Sequence, residues 1–248
     1  MIIVHDSIIK DEGYYFGLGA FETIAVEEGR ALFLKEHLQR LRNALITLGI
    51  PRPITTEPEI EEWLSSHPME HGALKITTSK RNLMLEKKPN SYTKEEYEQG
   101  YKTDFSQVRR NSTSPLTYVK SLNYGDNILE KRKAKLQGIQ EPIFLNEKGE
   151  ISEGAVSNIY FVKEDGSIVT PSLSCGLLPG IVREVLLREG FVQEEVIYPE
   201  ILVTCKEAFL SNSLMGIMPL ASLSWRNFHQ REVTEKMMEE YKKISRVS

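Results

Sequence analysis

Apolar and polar residues follow two different periods along this chain, and the two periods predict strands and helices in alternation. Residues 20–26 alternate as a half-buried strand does, and Glu28–Gly29 predicts a turn after them. A stripe of leucines at three- and four-residue steps predicts a helix from about Lys35 to Leu48, which Gly49 and Pro51 end. The leucines of this stripe are Leu34, Leu38, Leu41, Leu45 and Leu48.

The same two periods continue to the end of the chain. They predict strands at Met1–Val4, 73–78, 104–108, 116–120, 142–145, 157–162 and 208–211. They predict further helices at 58–64, before Gly138, at 179–188 and at 233–244. A charged segment with a proline, from Glu86 to Ser91, predicts a linker. These elements predict a mixed α/β fold with a smaller N-terminal domain over 1–90 and a larger C-terminal domain over 91–248, which carries Lys120.

The bulk composition excludes several classes of protein. The chain has 248 residues, of which 40% are hydrophobic and 27% charged, and these values are typical of a globular enzyme. A formal net charge of −4 argues against binding driven by nucleic-acid phosphates. The two cysteines, Cys175 and Cys205, form neither a disulfide framework nor a zinc site, so we expect no metal. The sequence shows no signal peptide and no bilayer-spanning apolar run, so we expect no membrane partner and a cytoplasmic location.

Lys120 ends the predicted strand 116–120, and this position makes it the first candidate for chemistry. Burying an ammonium group costs roughly several kcal/mol unless a partner neutralises it or a reaction uses it. A desolvated lysine loses its proton readily and can form a Schiff base with an aldehyde cofactor. An exposed lysine at a sheet edge is the alternative, and for Lys120 taken alone it is the better interpretation.

Four other positions meet the remaining needs of an aldehyde cofactor with a phosphate and a pyridine ring. Arg40 lies beside the leucine stripe, where a guanidinium can bind phosphate through two hydrogen bonds. A helix that begins after Gly180 presents free backbone N–H groups to an anion. Ser213 offers a hydroxyl, and Glu153 offers a carboxylate to a protonated ring nitrogen. Taken singly, each of these positions has a simpler explanation. Arg40 would be a surface arginine and Gly180 an ordinary helix start, while Ser213 would be a turn serine and Glu153 a loop glutamate.

Taken together, these segments resemble one group of enzymes, the class IV (fold type IV) pyridoxal-phosphate enzymes. This group contains branched-chain aminotransferases, D-amino-acid aminotransferases and aminodeoxychorismate lyases. The resemblance covers most of the chain, from Gly17 to about Pro219, because five segments occur in the right order. The segments are 37–41, 120–123, 152–158, 175–183 and 212–219.

The resemblance implies a fold, a cofactor and a role for each candidate residue. It implies a two-domain fold like that of D-amino-acid aminotransferases, with pyridoxal 5'-phosphate between the domains, and a homodimer whose subunit interface lies near the cofactor. Lys120 becomes the Schiff-base lysine and Glu153 the partner of the pyridine nitrogen. The residues implied to bind the phosphate are Arg40, Ile181 and Val182 through their backbone, and Ser213.

The members of this group differ in the reaction that they catalyse. D-Amino-acid aminotransferases have a tyrosine where this chain has Phe21, and an Arg-Asn-His run where it has Arg81-Asn82-Leu83. The loop 212–219 is similar to the Asn-Ala-Leu-Met run of the lyases. We therefore predict a lyase that converts 4-amino-4-deoxychorismate to 4-aminobenzoate and pyruvate, with Arg81 and Phe21 as candidate substrate contacts.

Two other functions stay open at this point. The first alternative is an aminotransferase that acts on branched-chain or D-amino acids and uses the same Lys120. The second is a non-catalytic binding protein on this fold. The presence of Lys120, Arg40 and Glu153 together argues against it, because a decayed site has no reason to keep all three kinds of chemistry.

Overall fold

The computed structural model describes residues 8–51 and 55–247, so the strand predicted at Met1–Val4 lies outside the described residues. The chain divides into two compact units. Of the described residues, the first unit contains those up to Ser91, together with Val119–Asn123 and 245–247. The second unit contains Tyr92–Tyr118 and Tyr124–Ile244.

The first unit is an antiparallel sheet of four strands with helices. In chain order its elements are α1 (Glu12–Phe16), β1 (Gly19–Glu27), β2 (Arg30–Ala31), α2 (Leu34–Thr47), α3 (Glu57–Ser66), β3 (His71–Ser79) and β4 (Leu83–Lys88). The strand order is β2-β1-β3-β4. The helix predicted at Lys35–Leu48 is confirmed as α2, and its leucine stripe packs in one buried core with Ile24, Leu74 and Ile76 of the sheet.

The second unit is built around a larger mixed sheet. Its helices are α4 (Lys94–Gln99), α5 (Gly125–Leu136), α6 (Ile181–Arg188) and α7 (Glu232–Ser245). Its strands are β5 (Tyr101–Arg110), β6 (Glu141–Asn146), β7 (Ile151–Gly154), β8 (Asn158–Val162), β9 (Ile168–Pro171), β10 (Gln193–Glu195), β11 (Glu207–Asn212), β12 (Gly216–Leu223) and β13 (Arg226–Asn227). Their order is β10-β9-β8-β11-β12-β5-β6-β7, with β13 paired to β12. The mixed α/β class predicted from the sequence is confirmed.

Three predictions about local structure need correction. The predicted strand 116–120 is wrong, because Pro115–Tyr118 forms a 3-10 helix in which Leu116 is exposed. The predicted linker begins inside β4, so its charged residues Glu86–Lys88 belong to a strand. The segment with Lys120 belongs to the first unit, whereas the sequence placed Lys120 in the C-terminal domain. The cause is a set of backbone contacts between this segment and β1, described below.

Among the helices of the described ranges, none is long and apolar enough to cross a lipid bilayer.

Candidate active site

The backbone around Lys120 runs beside the first strand of the first unit. Lys120 accepts a hydrogen bond at its carbonyl oxygen from Phe21 N (3.0 Å), and Leu122 N donates to Gly19 O (2.9 Å). An isolated antiparallel bridge joins Ala20 to Ser121. Lys120 is therefore held in place by main-chain hydrogen bonds to β1, although no regular strand contains it.

The side chain of Lys120 lies over an aromatic ring on β1. Its Nζ is 4.5 Å from the centroid of the Phe21 ring, and Lys75 Nζ is 5.4 Å from the same centroid. The β1–β3 register pairs Phe21 with Thr77 and Thr23 with Lys75, so these four residues share one face of the sheet. All four are partly exposed, in contrast to the buried residues between them. We call these four residues, together with the Lys120 side chain that lies over Phe21, the lysine face. It combines two cations with one apolar ring, an arrangement suited to an anionic substrate.

The opposite face of β1 carries a buried carboxylate, Glu22. Its Oε1 accepts from Arg40 Nε (2.8 Å), and its Oε2 accepts from Arg40 Nη2 (2.7 Å) and lies 2.7 Å from His37 Nδ1. Burial alone would raise the pKa of Glu22, but the charges and hydrogen bonds of Arg40 and His37 hold it far below its usual value. Glu22 is therefore ionised, and it forms a bidentate pair with the guanidinium that the sequence assigned to phosphate.

His37 completes this buried group. Burial lowers the pKa of His37, the Glu22 carboxylate partly opposes that effect, and the positive charges of Arg40 and Lys120 lower it further. Among the described residues, His37 Nε2 has no hydrogen-bond partner. We expect His37 to stay neutral near pH 7.

Sequence reasoning passed over Glu22, although the signal for it was present. A strand that alternates toward a leucine-rich helix has no place for an unpaired carboxylate on its inward face. Glu22 falls on that face, and the helix offers His37 and Arg40 one turn apart. This pattern could have predicted the pair from the sequence alone.

The second unit holds Glu153 on β7, where it is buried. Its Oε1 lies 3.1 Å from Arg110 Nη2, and its Oε2 accepts from Leu178 N (3.0 Å). A glutamate on a solvated loop, the alternative for the residue taken singly, does not match this burial. The geometry provides an oriented carboxylate, as a partner for a protonated ring nitrogen must be.

The second unit also offers a helix start with very close backbone packing. A Cβ at Gly180 would lie 2.0 Å from Asn158 Oδ1, so no other residue fits there without rearrangement. Asn158 Nδ2 in turn donates to Leu178 O (3.0 Å). The helix α6 begins with the buried Ile181 and Val182, whose N–H groups are at its positive end. This cradle of backbone donors fits the phosphate of pyridoxal phosphate.

The remaining candidates lie in turns. Ser213 is partly exposed in the turn between β11 and β12, which Asn212 closes by accepting at Oδ1 from Leu214 N and Met215 N, both at 2.9 Å. Arg81 lies in the β3–β4 turn with an exposed side chain, and its N donates to Asp11 Oδ2 (2.8 Å). The second cation close to the Phe21 ring is Lys75, a residue that the sequence did not single out.

Each unit thus brings part of the candidate set together. The first unit groups Lys120, Phe21 and Arg40 around β1, and the second groups Glu153 with the start of α6 through Leu178. Within the ranges 8–51 and 55–247, no three His, Cys, Asp or Glu side chains are arranged to hold a metal ion.

The chain belongs to the class IV aminotransferase family, because the family model for class IV amino-transferases matches residues 19–223. It is 30% identical over 260 residues to a Methanocaldococcus jannaschii protein whose name proposes a branched-chain-amino-acid aminotransferase, with 95% of this chain and 90% of the relative covered. It is 27% identical over 257 residues to the aminodeoxychorismate lyase of Bacillus subtilis, with 94% and 87% covered. The predicted family is therefore confirmed. The chain is an enzyme, because this family consists of pyridoxal-phosphate-dependent aminotransferases and lyases.

A solved structure supports the fold. The 4-amino-4-deoxychorismate lyase of Pseudomonas aeruginosa superposes with a TM-score of 0.83 at 24% identity, over 97% of this chain and 96% of the other. The predicted fold type IV architecture is therefore confirmed. Enzymes of this family act on small molecules. The two relatives of this chain named above differ in reaction, because one is named as an aminotransferase and the other as a lyase.

Proposed function

We propose that this enzyme is a 4-amino-4-deoxychorismate lyase that uses pyridoxal 5'-phosphate and forms 4-aminobenzoate and pyruvate. The observation that carries the proposal is the lysine face, on which the Nζ atoms of Lys120 and Lys75 lie 4.5 and 5.4 Å from the centroid of the apolar Phe21 ring. A carbocyclic substrate with carboxylates suits an apolar ring that has two cations close to it. Phe21 has no hydroxyl and Leu83 is buried, so neither supplies the polar grip that D-amino-acid aminotransferases use on a carboxylate.

We further propose that the candidate residues bind pyridoxal 5'-phosphate in the roles that the family resemblance implies. When bound, it supplies an aldehyde that reacts with amines and a protonated ring that withdraws electrons. Arg40, the N–H groups of Ile181 and Val182, and the Ser213 hydroxyl hold its phosphate, and Glu153 holds the proton on its ring nitrogen. Lys120 Nζ removes the proton from the substrate carbon that carries the amino group. The bond between the substrate ring and the enolpyruvyl oxygen breaks, which makes the ring aromatic, and Lys120 returns the proton to the methylene carbon of the departing enolpyruvate to give pyruvate.

A second candidate function is transfer of the amino group from branched-chain or D-amino acids. The sequence identity of 30% to a protein named for that activity favours it, and Lys120 would again move a proton at the carbon that carries the amino group. The lyase reading would place the enzyme in folate biosynthesis. The homodimer, the cytoplasmic location and the substrate contacts Arg81 and Phe21 stay predictions.

The reaction can be tested directly with purified, cofactor-loaded enzyme. Incubation with 4-amino-4-deoxychorismate should give 4-aminobenzoate over many turnovers without any added 2-oxoacid, because the lyase reaction regenerates the enzyme by itself. D-Alanine or L-leucine should give at most slow half-transamination, since a substrate carboxylate without a partner is costly to bury. Fast transfer from either amino acid to 2-oxoglutarate, with no 4-aminobenzoate formed, would establish the second candidate instead.

Arg40→Ala should weaken cofactor binding about ten- to a hundredfold, since a charged hydrogen bond to phosphate contributes about 1.5–3 kcal/mol. The same change should lower the melting temperature of the cofactor-free protein, because Arg40 also neutralises the buried Glu22. Arg42→Ala, on the exposed side of α2, is the matched control and should change neither quantity. An unchanged affinity in a cofactor titration would remove Arg40 from the proposed phosphate site.

A further inference from the structure

A second arginine, Arg110 at the end of β5, pairs with the carboxylate that we assign to the cofactor ring. Its Nη2 lies 3.1 Å from Glu153 Oε1, and its side chain is only 13% exposed. Glu153 Oε2 has a separate donor in Leu178 N. Each oxygen of the carboxylate therefore has a fixed contact, Oε1 with Arg110 and Oε2 with Leu178 N.

The structure holds the Arg110 guanidinium in place from two directions. It lies 4.0 Å from the centroid of the Phe144 ring, and Nη1 donates to Asn127 Oδ1 (3.2 Å). Asn127 Nδ2 donates to Ala155 O (2.6 Å), two residues after Glu153. In the described part of the chain, Arg110 Nε and Nη2 have no partner with hydrogen-bond geometry. The ion pair with Glu153 and the aromatic face thus compensate for the burial of this charge.

A second ion pair, between Glu141 and Lys131, holds the loop that follows Glu153. Glu141, at the start of β6, accepts at Oε2 from Lys131 Nζ of α5 (2.8 Å). Glu141 Oε1 accepts from Val156 N (2.7 Å) and Ser157 Oγ (2.8 Å), so it fixes the loop after Glu153. Arg110 is a cation in direct contact with Glu153, and the neighbouring pair of Glu141 and Lys131 does not cancel its charge.

A buried carboxylate without a counter-charge takes up a proton, and a protonated carboxyl group cannot hold a protonated ring nitrogen. We propose that Arg110 is the positioning residue of Glu153, which keeps this carboxylate ionised and directed in the cofactor-free enzyme and during turnover. The part concerning turnover rests on the proposed function. The charge coupling between Arg110 and Glu153 does not, so the two can be tested separately.

The coupling is tested on cofactor-free protein by thermal melts between pH 5 and pH 8. In Arg110→Met the buried Glu153 has lost the charge of Arg110 and should bind its proton more tightly in the folded than in the unfolded chain. The stability that this proton gives is present at low pH and is lost as the pH rises. Relative to Arg110→Met/Glu153→Gln, the melting temperature of Arg110→Met should therefore fall by about 5 °C or more across this range. Parallel curves for these two variants would overturn the proposal.

The role in turnover is tested on loaded enzyme with whichever amino substrate the wild type consumes. Arg110→Met should lower kcat about tenfold or more with little change in KM, and more strongly at low pH, where Glu153 is protonated. Arg110→Lys should restore much of kcat, because it returns a cation. Arg109→Met, on the exposed side of β5, is the matched control. Wild-type kcat in fully loaded Arg110→Met at every pH would overturn the role. A wild type inactive on every amino substrate would overturn the proposed function, and the melts would still decide the coupling.

Discussion

Lys120→Ala should reduce turnover to background, a loss of at least about 10⁴-fold, because one amine both attaches the cofactor and moves the proton. The variant should still bind pyridoxal phosphate, since the proposed phosphate and ring contacts come from other residues. Its cofactor should, however, leave on dialysis against denaturant after borohydride treatment. In wild-type enzyme the same treatment should fix the cofactor to one peptide, which mass spectrometry should map to Lys120.

The chain supplies a matched control for this experiment in Lys75, whose Nζ lies over the same Phe21 ring as that of Lys120. Lys75→Ala should keep the covalent label on Lys120 and keep measurable turnover. The comparison separates a reactive amine from a general need for positive charge on the lysine face. A label that moved to Lys75, or that persisted in Lys120→Ala, would contradict the assignment.

The sequence led to Lys120 through an incorrect local structure. Alternation over 116–120 predicted a strand, but Pro115 starts a 3-10 helix, and none of the side chains of this helix is buried. The main chain around Lys120 is hydrogen-bonded to β1, which lies about a hundred residues earlier in the sequence. Local patterns cannot report such a contact. The motif Lys120–Asn123 could be recognised, whereas its place in the first unit required the fold.

Hydrophobic periodicity predicts an element most accurately where a single apolar stripe packs against a single core. The helix α2 was predicted to within one residue at each end, because its leucine stripe packs against a single sheet. Arg110 could not be predicted, since its partner Glu153 lies 43 positions later and meets it only through the pairing of β5, β6 and β7. Glu22 was accessible in principle, as a carboxylate on the inward face of a strand.

Glu22→Gln should destabilise the protein by about 3–5 kcal/mol, because it leaves the Arg40 guanidinium without the charge that compensates its burial. For a chain of this size the melting temperature should fall by on the order of 10 °C. Cofactor affinity should fall as well, since two hydrogen bonds from Arg40 to Glu22 orient the guanidinium that we assign to phosphate. Thermal melts of cofactor-free protein and a cofactor titration measure the two effects.

The same strand provides the control for this change. Glu27 pairs with His71 at 2.7 Å, the distance that separates Glu22 from His37, but both partners are largely exposed. Glu27→Gln should therefore leave the melting temperature almost unchanged, because water and salt already screen an exposed pair. Equal effects of the two substitutions would show that burial does not strengthen the Glu22 pair.

Acid should reveal the same buried group in the wild-type enzyme. The pKa of Glu22 is lowered in the folded chain by Arg40 and His37, and the pKa of His37 is lowered by burial. In both cases the unfolded chain binds more protons, so stability is lost as the pH falls, first below the ordinary pKa of histidine and then below that of glutamate. Glu22→Gln removes the second part of this loss. Its melting temperature should therefore decline less than that of the wild type below about pH 4.5, and a parallel decline would mean that Glu22 is not ionised in the folded protein.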